Sequence, residues 1–452
     1  MSRSVAGTAV LLALGLAGPL GAQNRRCVLL VEHVERQGVL NKILNSSTEN
    51  YFAGGNVRLR CSKQEVRIWA DSIASYAGQV VQFIGHFRYE DETAKVTSDF
   101  GTYYKDTERW DATGNVIYVN TEDGSKLQGP MATYRRRIKG VNELEEVFAE
   151  RRPTLTLAAK DSTKRAEEPY VVVADRIRMR GRDLMWAGGT VTVDRSDLRG
   201  RSDSLQLDNG KGSTGALIGH ASIRRAAADS FALVGKRIDL GLKQRELTGI
   251  VGRDSAKLTS KDLDLYAETI ALKMEARQVV QTLAWGDAPR PQALADEYEV
   301  RGDSLAVDTP QEHLSELRAF HKAWVGFKPD SGKGERDWLA GDSVTGTFIQ
   351  RENPTGGSKS ALQRLEARQN ASSFYRISGA GNPGGRPSIN YARATRILLT
   401  MQTGDSVKVD KVDMVGQVDG MQLQPQAPKA DTLHRDTTAV KPAKPAKPRG
   451  AR

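Results

Sequence analysis

The chain contains few of the residues that build metal centres and disulfide frameworks. Its 452 residues include 2 Cys and 6 His, and aromatic side chains make up 6% of the composition. So few Cys and His exclude a multi-zinc protein or a disulfide-dense scaffold. Apolar residues at 39% and charged residues at 27% still leave enough apolar surface for a folded body, so global disorder is excluded as well.

Proline and long apolar runs are also missing from most of the chain. There is no Pro between Pro169 and Pro289. Because Pro cannot donate a ladder hydrogen bond, a gap of this length favours a long succession of paired strands. After residue 22, no apolar run approaches the roughly 20 residues that a membrane-spanning helix needs.

Positive charge is concentrated at the end of the chain. The net charge is +11, and residues 425–452 hold seven basic and two acidic side chains. This segment ends in repeated Lys and Pro and has few large apolar residues, so we predict a disordered, extended tail over 425–452. The body has both signs interspersed, which is typical of a solvated surface and predicts no nucleic-acid partner.

The first 22 residues are typical of a secretory signal peptide. Arg3 precedes an apolar core from Val5 to Leu16, and small residues end at Ala22. We therefore predict export with cleavage near Ala22, a periplasmic location, and association with the outer membrane as a further option. An oxidising compartment permits a disulfide between Cys27 and Cys61, each at the end of a strand-like run. Two free thiols are the alternative.

A repeat of roughly 30 residues runs through the body. Its first half is a small residue or Gly followed by a short β-rich run. Its second half is a small residue, often with Asp-Ser, followed by alternating apolar positions. Copies of the first half occur at Gly55, Gly85, Gly114, Gly189, Gly219, Gly249 and Gly416, and copies of the second at Asp71, Asp99, Asp175, Asp203, Glu268, Asp303 and Asp342.

Alternation of apolar and polar residues, as in Leu205-Gln206-Leu207-Asp208, predicts strands that bury one face. We predict an all-β, solenoid-like fold of about ten or eleven two-strand repeats. Residues 23–150 and 170–424 are expected to form the β repeats, with a linker or long loop at 151–169. The predicted inward-facing residues are Ile73, Val116, Val191, Leu205, Leu207, Ile238, Leu240, Leu305 and Val344.

Two segments of the chain resemble the OstA-like family. They are Trp69–Tyr76, with the sequence WADSIASY, and Val96–Gly114, which contains TSDFGTYY and ends in WDATG. This family includes the lipopolysaccharide-transport protein LptA and the N-terminal region of the translocon LptD. The resemblance is strongest over residues 50–135. It implies a β-jellyroll, or β-taco, whose apolar trough carries lipid acyl chains along stacked jellyrolls, and it implies no catalytic residues. This chain is longer than typical LptA and lacks the LptD barrel.

Motifs for catalysis are absent or explained by the repeat. Gly210–Gly215 matches the spacing GxGxxG, but it runs directly into the next repeat turn instead of a helix. The His residues show no metal-ligand spacing, and no nucleophile is paired with a base. We therefore predict no enzyme activity, no metal site and no cofactor.

The sequence thus favours a non-enzymatic, periplasmic protein that binds lipopolysaccharide or another acyl lipid in a trough. As the resemblance implies, its partners are the lipid and, head to tail, further copies or other jellyroll transport components of the inner and outer membranes. The alternative is a structural or adhesive exported β-solenoid with a dry core. One trough and two separate jellyrolls are both compatible with the pattern.

Overall fold

The computed structural model describes most of the chain between residues 27 and 424. The described ranges are 27–37, 41–42, 49–62, 64–138, 142–158, 168–210, 212–225, 231–243, 246–328, 336–352, 358–377, 387–402 and 409–424. The predicted signal segment 1–22 and tail 425–452 lie outside them. The described residues form 29 strands and one short 3₁₀ helix, Pro310–Glu312, and they contain no α-helix.

The strands follow one another along the whole chain. They are β1 Leu29–His33, β2 Arg36–Gln37, β3 Asn41–Lys42, β4 Glu49–Cys61, β5 Arg67–Tyr76, β6 Val80–Glu90, β7 Ala94–Tyr104, β8 Arg109–Asn120, β9 Lys126–Arg135, β10 Glu146–Glu150, β11 Thr154–Leu157, β12 Tyr170–Val173, β13 Arg176–Arg180, β14 Leu184–Arg195, β15 Leu198–Asp208, β16 Thr214–Arg225, β17 Ala232–Lys243, β18 Glu246–Thr259, β19 Asp264–Glu275, β20 Gln278–Trp285, β21 Gln292–Leu294, β22 Tyr298–Arg301, β23 Ser304–Asp308, β24 Glu316–Phe327, β25 Trp338–Glu352, β26 Ser358–Ile377, β27 Ser388–Met401, β28 Val409–Val415 and β29 Asp419–Leu423.

Neighbouring strands pair antiparallel in chain order, which makes the sheet a long meander. β14 pairs with β15 and β15 with β16, for example. Some traverses of the sheet are split into two short strands. β10 and β11 both pair with β9, and β12 and β13 both pair with β14. The all-β repeat fold predicted from the sequence is therefore confirmed.

A kink divides every second traverse near its middle. At Gly219 and His220 the backbone has φ of 77° and 44°, and the pairing register of β16 shifts at this point. Gly fits this left-handed region because it has no Cβ. The register shift corresponds to one extra residue on β16, a β-bulge that bends the strand. Equivalent pairs with positive φ are Gly55/Asn56, Gly85/His86, Gly114/Asn115, Arg151/Arg152, Gly189/Thr190, Asp254/Ser255, His321/Lys322 and Gln369/Asn370.

The kinks fold the sheet along its length, so that its two halves face each other across an apolar interior. Alternate residues point inward, as the burial of Met185, Ala187 and Val191 on β14 shows. The buried apolar side chains form one contiguous cluster from Cys27 to Met401. This folded sheet is the repetitive jellyroll that the sequence predicted, with one continuous interior through the described residues.

The turns between strands lie along two rims, which we call the first and second rim. The first rim includes the turns at 91–93, 121–125, 196–197 and 260–263. The second includes those at 105–108, 181–183, 276–277 and 309–315. Because each full traverse runs from one rim to the other and the sheet is bent along the line of kinks, the rims approach each other on the side opposite the kinks.

Part of the segment predicted as a linker is a strand. Within 151–169, Thr154–Leu157 forms β11 and pairs with β9 and β12, so the sheet continues through it. The alternation Thr-Leu-Thr-Leu buries Leu155 fully and Leu157 nearly so, which is the period-2 pattern of a one-sided strand. Residues 159–167 lie outside the described ranges.

Candidate functional site

The interior changes character along the sheet. In the aromatic section, strands β5 to β9 (67–135), large rings fill the space between the two walls. Tyr103 and Tyr89 lie with ring centroids 4.3 and 4.8 Å from that of Trp110. The buried rings of this section are Phe83, Phe87, Tyr89, Tyr103, Trp110, Tyr118 and Tyr134. This section is closely packed, with a gap of only about 10 Å³ between the rings.

The aliphatic section, strands β12 to β18 (170–259), is built mainly from leucine and valine. Its interior holds a central cavity of about 60 Å³, lined in part by Leu198, Leu205, Leu207, Leu217, Leu240 and Leu247. Leu207, Leu240 and Leu247 are only partly buried. The cavity is smaller than the ~300–1,000 Å³ of typical ligand sites, so its walls must separate before a long acyl chain can enter.

All nine residues predicted to face the trough point into the interior. Leu207 and Leu240 are half-buried, and Ile73, Val116, Val191, Leu205, Ile238, Leu305 and Val344 are buried. Only Leu205, Leu207 and Leu240 line the central cavity. The sequence reasoning missed Leu198, Leu217 and Leu247, although each continues the same alternation. Whether any of these side chains contacts lipid stays a prediction.

The rims are joined by hydrogen bonds along the aromatic section. Tyr134, at the second-rim end of β9, donates its hydroxyl to Asp91 Oδ2 on the first rim at 2.7 Å. Tyr89 donates to the same oxygen at 2.7 Å. Burial raises the pKa of both phenols well above the usual value, so they stay protonated and act as donors. The ion pair between Arg182 and Glu122, 3.7 Å apart, joins the rims again further along.

A disulfide-bonded segment adds a further link across the rims. Cys27 and Cys61 are paired in the structure, with Cα atoms 5.1 Å apart. The backbone N–H of Cys27 donates to Glu108 Oε1 on the second rim at 2.9 Å. Arg136 donates to Glu108 Oε2 at 3.0 Å, and this ion pair is almost completely buried. The N-terminal strand β1 is thereby held across the start of the aromatic section.

The rims separate beside the aliphatic section and leave a side cleft of about 490 Å³. It lies between Glu168, Arg195 and Ser196 of the first rim and Leu247, Ala276 and Arg277 of the second. Leu247 lines both the side cleft and the central cavity, so the two spaces adjoin.

Arg195 is fixed at the border between the cleft and the cavity. Its guanidinium pairs with Asp197, with Nε to Oδ1 at 2.5 Å, and lies 4.6 Å from the ring centroid of Tyr170. Burial opposes ionisation of Asp197, but the hydrogen bond and charge of Arg195 outweigh it and lower the pKa of that carboxyl. Tyr170 also lines the cavity, so a charged group and an apolar wall meet here.

Beyond the side cleft, the rims meet again. Arg225 of the first rim forms an ion pair with Glu312 of the second, and both side chains are largely buried. Ser360 Oγ lies 3.0 Å from Asp262 Oδ2 across the same gap. The side cleft is therefore bounded by joined rims on both sides.

The repeated Asp of the second half-motif has a partner across the strands, at the kink. Asp71 Oδ2 lies 2.8 Å from His86 Nδ1, and Asp203 Oδ2 lies 2.9 Å from His220 Nδ1. Asp99 Oδ2 accepts from Asn115 at 2.9 Å. His86 and His220 thus occupy equivalent positions at two kinks, each beside an Asp of the repeat.

Within the described ranges, no group of three or more His, Cys, Asp or Glu side chains could hold a metal ion. No helix among those residues is long and apolar enough to span a membrane.

Comparison with known proteins identifies no family for this chain. No family model matches the chain, and no curated protein matches it. One similar solved structure is LptH, the LptA-homologous periplasmic component of the lipopolysaccharide transport device from Pseudomonas aeruginosa. It is 17% identical, spans 28% of this chain and 95% of its own, and has a TM-score of 0.25. A similarity at this level does not establish membership of its family and supports no conclusion about function.

Proposed function

We propose that this protein is an exported, non-enzymatic carrier that binds the acyl chains of lipopolysaccharide between the walls of its folded sheet. It would use no cofactor and act in the periplasm. The observation that supports this proposal is the leucine-lined central cavity, which adjoins a polar cleft open to solvent. An apolar space with a polar opening suits a ligand with acyl tails and a hydrated head.

The two ends of the sheet support a bridging arrangement between the inner and outer membranes. In the described residues, β1 pairs with β4 and β29 with β27, and the far side of each end strand has no partner strand. Val31 at one end and Met421 and Leu423 at the other are about half exposed. Open edges of this kind accept another strand, so further copies or other jellyroll transport proteins would dock here head to tail.

Photo-crosslinking tests the proposed trough. A photoreactive amino acid at Leu205 or Leu240 should capture lipopolysaccharide on illumination, because both side chains line the central cavity. Gln206, an exposed neighbour on the same strand as Leu205, is the matched control and should capture little. Capture from Gln206 and not from the two leucines would contradict the assignment of the inward face.

A structural β-solenoid with a dry core is the second candidate. The closely packed rings of the aromatic section favour it, because they leave no room for a ligand there. Extraction with organic solvent after mild purification separates the two functions: co-purifying acyl lipid supports transport, and a lipid-free protein that also fails to bind added lipid supports the structural role.

A further inference from the structure

We propose that an acyl lipid enters the central cavity sideways, through the side cleft between the rims, with its polar head remaining in the cleft. This inference rests on the proposed lipid-binding function. It adds a site and a route, because the alternative is lengthwise movement through the interior from one end of the sheet.

The lengthwise route is obstructed on the N-terminal side. Tyr103 and Tyr89 pack against Trp110 across the interior of the aromatic section, with centroid distances below 5 Å. A chain passing this point would have to displace several buried rings together, which requires the loss of their packing. The bond from Tyr134 to Asp91 also holds the rims together there.

The rims are joined again at the other end of the aliphatic section. Arg225 and Glu312 form a largely buried ion pair across the rims, and separating two such charges is expensive. The bond between Ser360 and Asp262 lies further along on the same side. The rims are thus joined on both sides of the cleft, which leaves the cleft as the lateral opening beside the central cavity.

The cleft has the graded polarity that an amphipathic molecule needs. Its outer part is formed by Glu168, Ser196 and Arg277, and its inner part by Leu247 and Met274. Met274 is buried, and Leu247 continues into the central cavity. A head group can thus remain among polar side chains while its acyl chain contacts only apolar ones.

A clamp across the cleft tests the route. In S196C/A276C, which places one exposed thiol on each rim of the cleft, a bis-maleimide added after folding would tie the rims together. The two native Cys are paired in the disulfide and do not compete. Uptake of cis-parinaric acid, a fluorescent fatty acid, should slow at least tenfold in the clamped protein. Protein clamped after loading should retain the probe.

The matched control is the same clamp where the rims already touch. E122C/R182C replaces a pair 3.7 Å apart outside the cleft, and its clamping should leave uptake unchanged. Each single-Cys variant treated with N-ethylmaleimide carries the added volume of a maleimide without a link between the rims. Both of these variants should take up the probe. Normal uptake by clamped S196C/A276C would overturn sideways entry and leave lipid binding intact. Failure of the unmodified protein to bind any probe would overturn the proposed function itself.

Discussion

The aromatic and aliphatic sections both consist of kinked antiparallel strands, but they differ in the side chains that fill the interior. Both have kinked strands with an acid facing the kink, as at Asp71 with His86 and Asp203 with His220. In the aromatic section, seven buried rings occupy the interior. In the aliphatic section leucine and valine line the interior, and a cavity remains. The volume of the inward-facing side chains therefore helps to decide where this sheet has room for a ligand.

The difference extends to the rims. Beside the aromatic section, hydrogen bonds and ion pairs join them, whereas the 490 Å³ cleft separates them beside the aliphatic section. The packed section thus has the features of a rigid support, and the open section those of a binding region. Substitutions that remove or add side-chain volume in each section test this difference directly.

Removing the central ring should give the largest effect on stability. Trp110→Ala deletes a buried indole that contacts four other rings, and we expect a loss of about 3–5 kcal/mol in the free energy of unfolding. Leu207→Ala, the matched change in the aliphatic section, should cost about 1 kcal/mol, because its side chain is only partly buried. Urea denaturation followed by circular dichroism measures both. Equal losses would contradict the contrast between the sections.

Reducing the disulfide should give the next largest effect, and only in the N-terminal part. Opening the bond between Cys27 and Cys61 releases the segment that contacts Glu108, with an expected loss of about 2–4 kcal/mol. Hydrogen exchange should then increase in β1 and β4 and stay unchanged in β15 to β17. Thiol titration of the unfolded, unreduced protein checks the premise: two reactive thiols would show that the bond does not form.

The sequence alone predicts the strands of both sections but not the contacts that distinguish the sections, and there are physical reasons for this. Period-2 alternation predicted the strands and their inward face. The recurring Gly was expected in turns of the repeat, but most copies lie at kinks within strands. The rim contacts join residues far apart in the chain, such as Tyr134 with Asp91 and Arg225 with Glu312, and no local pattern encodes them. The sequence did place Trp110 in a family motif, but it did not indicate that the ring closes the interior.

Sequence patterns likewise do not predict the central cavity. Leu205 and Val344 follow the same alternation and are equally buried, yet only Leu205 lines the cavity. A cavity depends on the summed volume of both walls, which come from strands separated in the chain. The bulge at each kink also shifts the pairing register. The residues that face each other on neighbouring strands therefore cannot be identified from their spacing in the sequence.

Substitutions that enlarge a buried side chain should affect the two sections differently. Their effects on stability should be smaller than those of the changes above. Leu240→Phe adds bulk beside the cavity and should change the free energy of unfolding by less than about 1 kcal/mol. Ala112→Leu adds bulk among packed rings and should cost about 1–3 kcal/mol. Binding of cis-parinaric acid should weaken at least fivefold in L240F and stay unchanged in A112L. Weakened binding in A112L alone would move the lipid site to the aromatic section.

The smallest effect is expected at a kink, the feature that both sections share. The hydrogen bond and the charge of Asp71 raise the pKa of His86 above the usual 6.5. A raised pKa in the folded state means that the pair stabilises the fold below about pH 6.5, and that this contribution is lost as the pH rises through the folded pKa. Because the imidazole is exposed to solvent, the change in Tm should be slight. An NMR titration should place the His86 midpoint above that of the unfolded chain, and Asp71→Asn should lower it. If that substitution leaves the midpoint unchanged, the carboxylate does not act on the imidazole, and the acid of the repeat serves only to shape the kink.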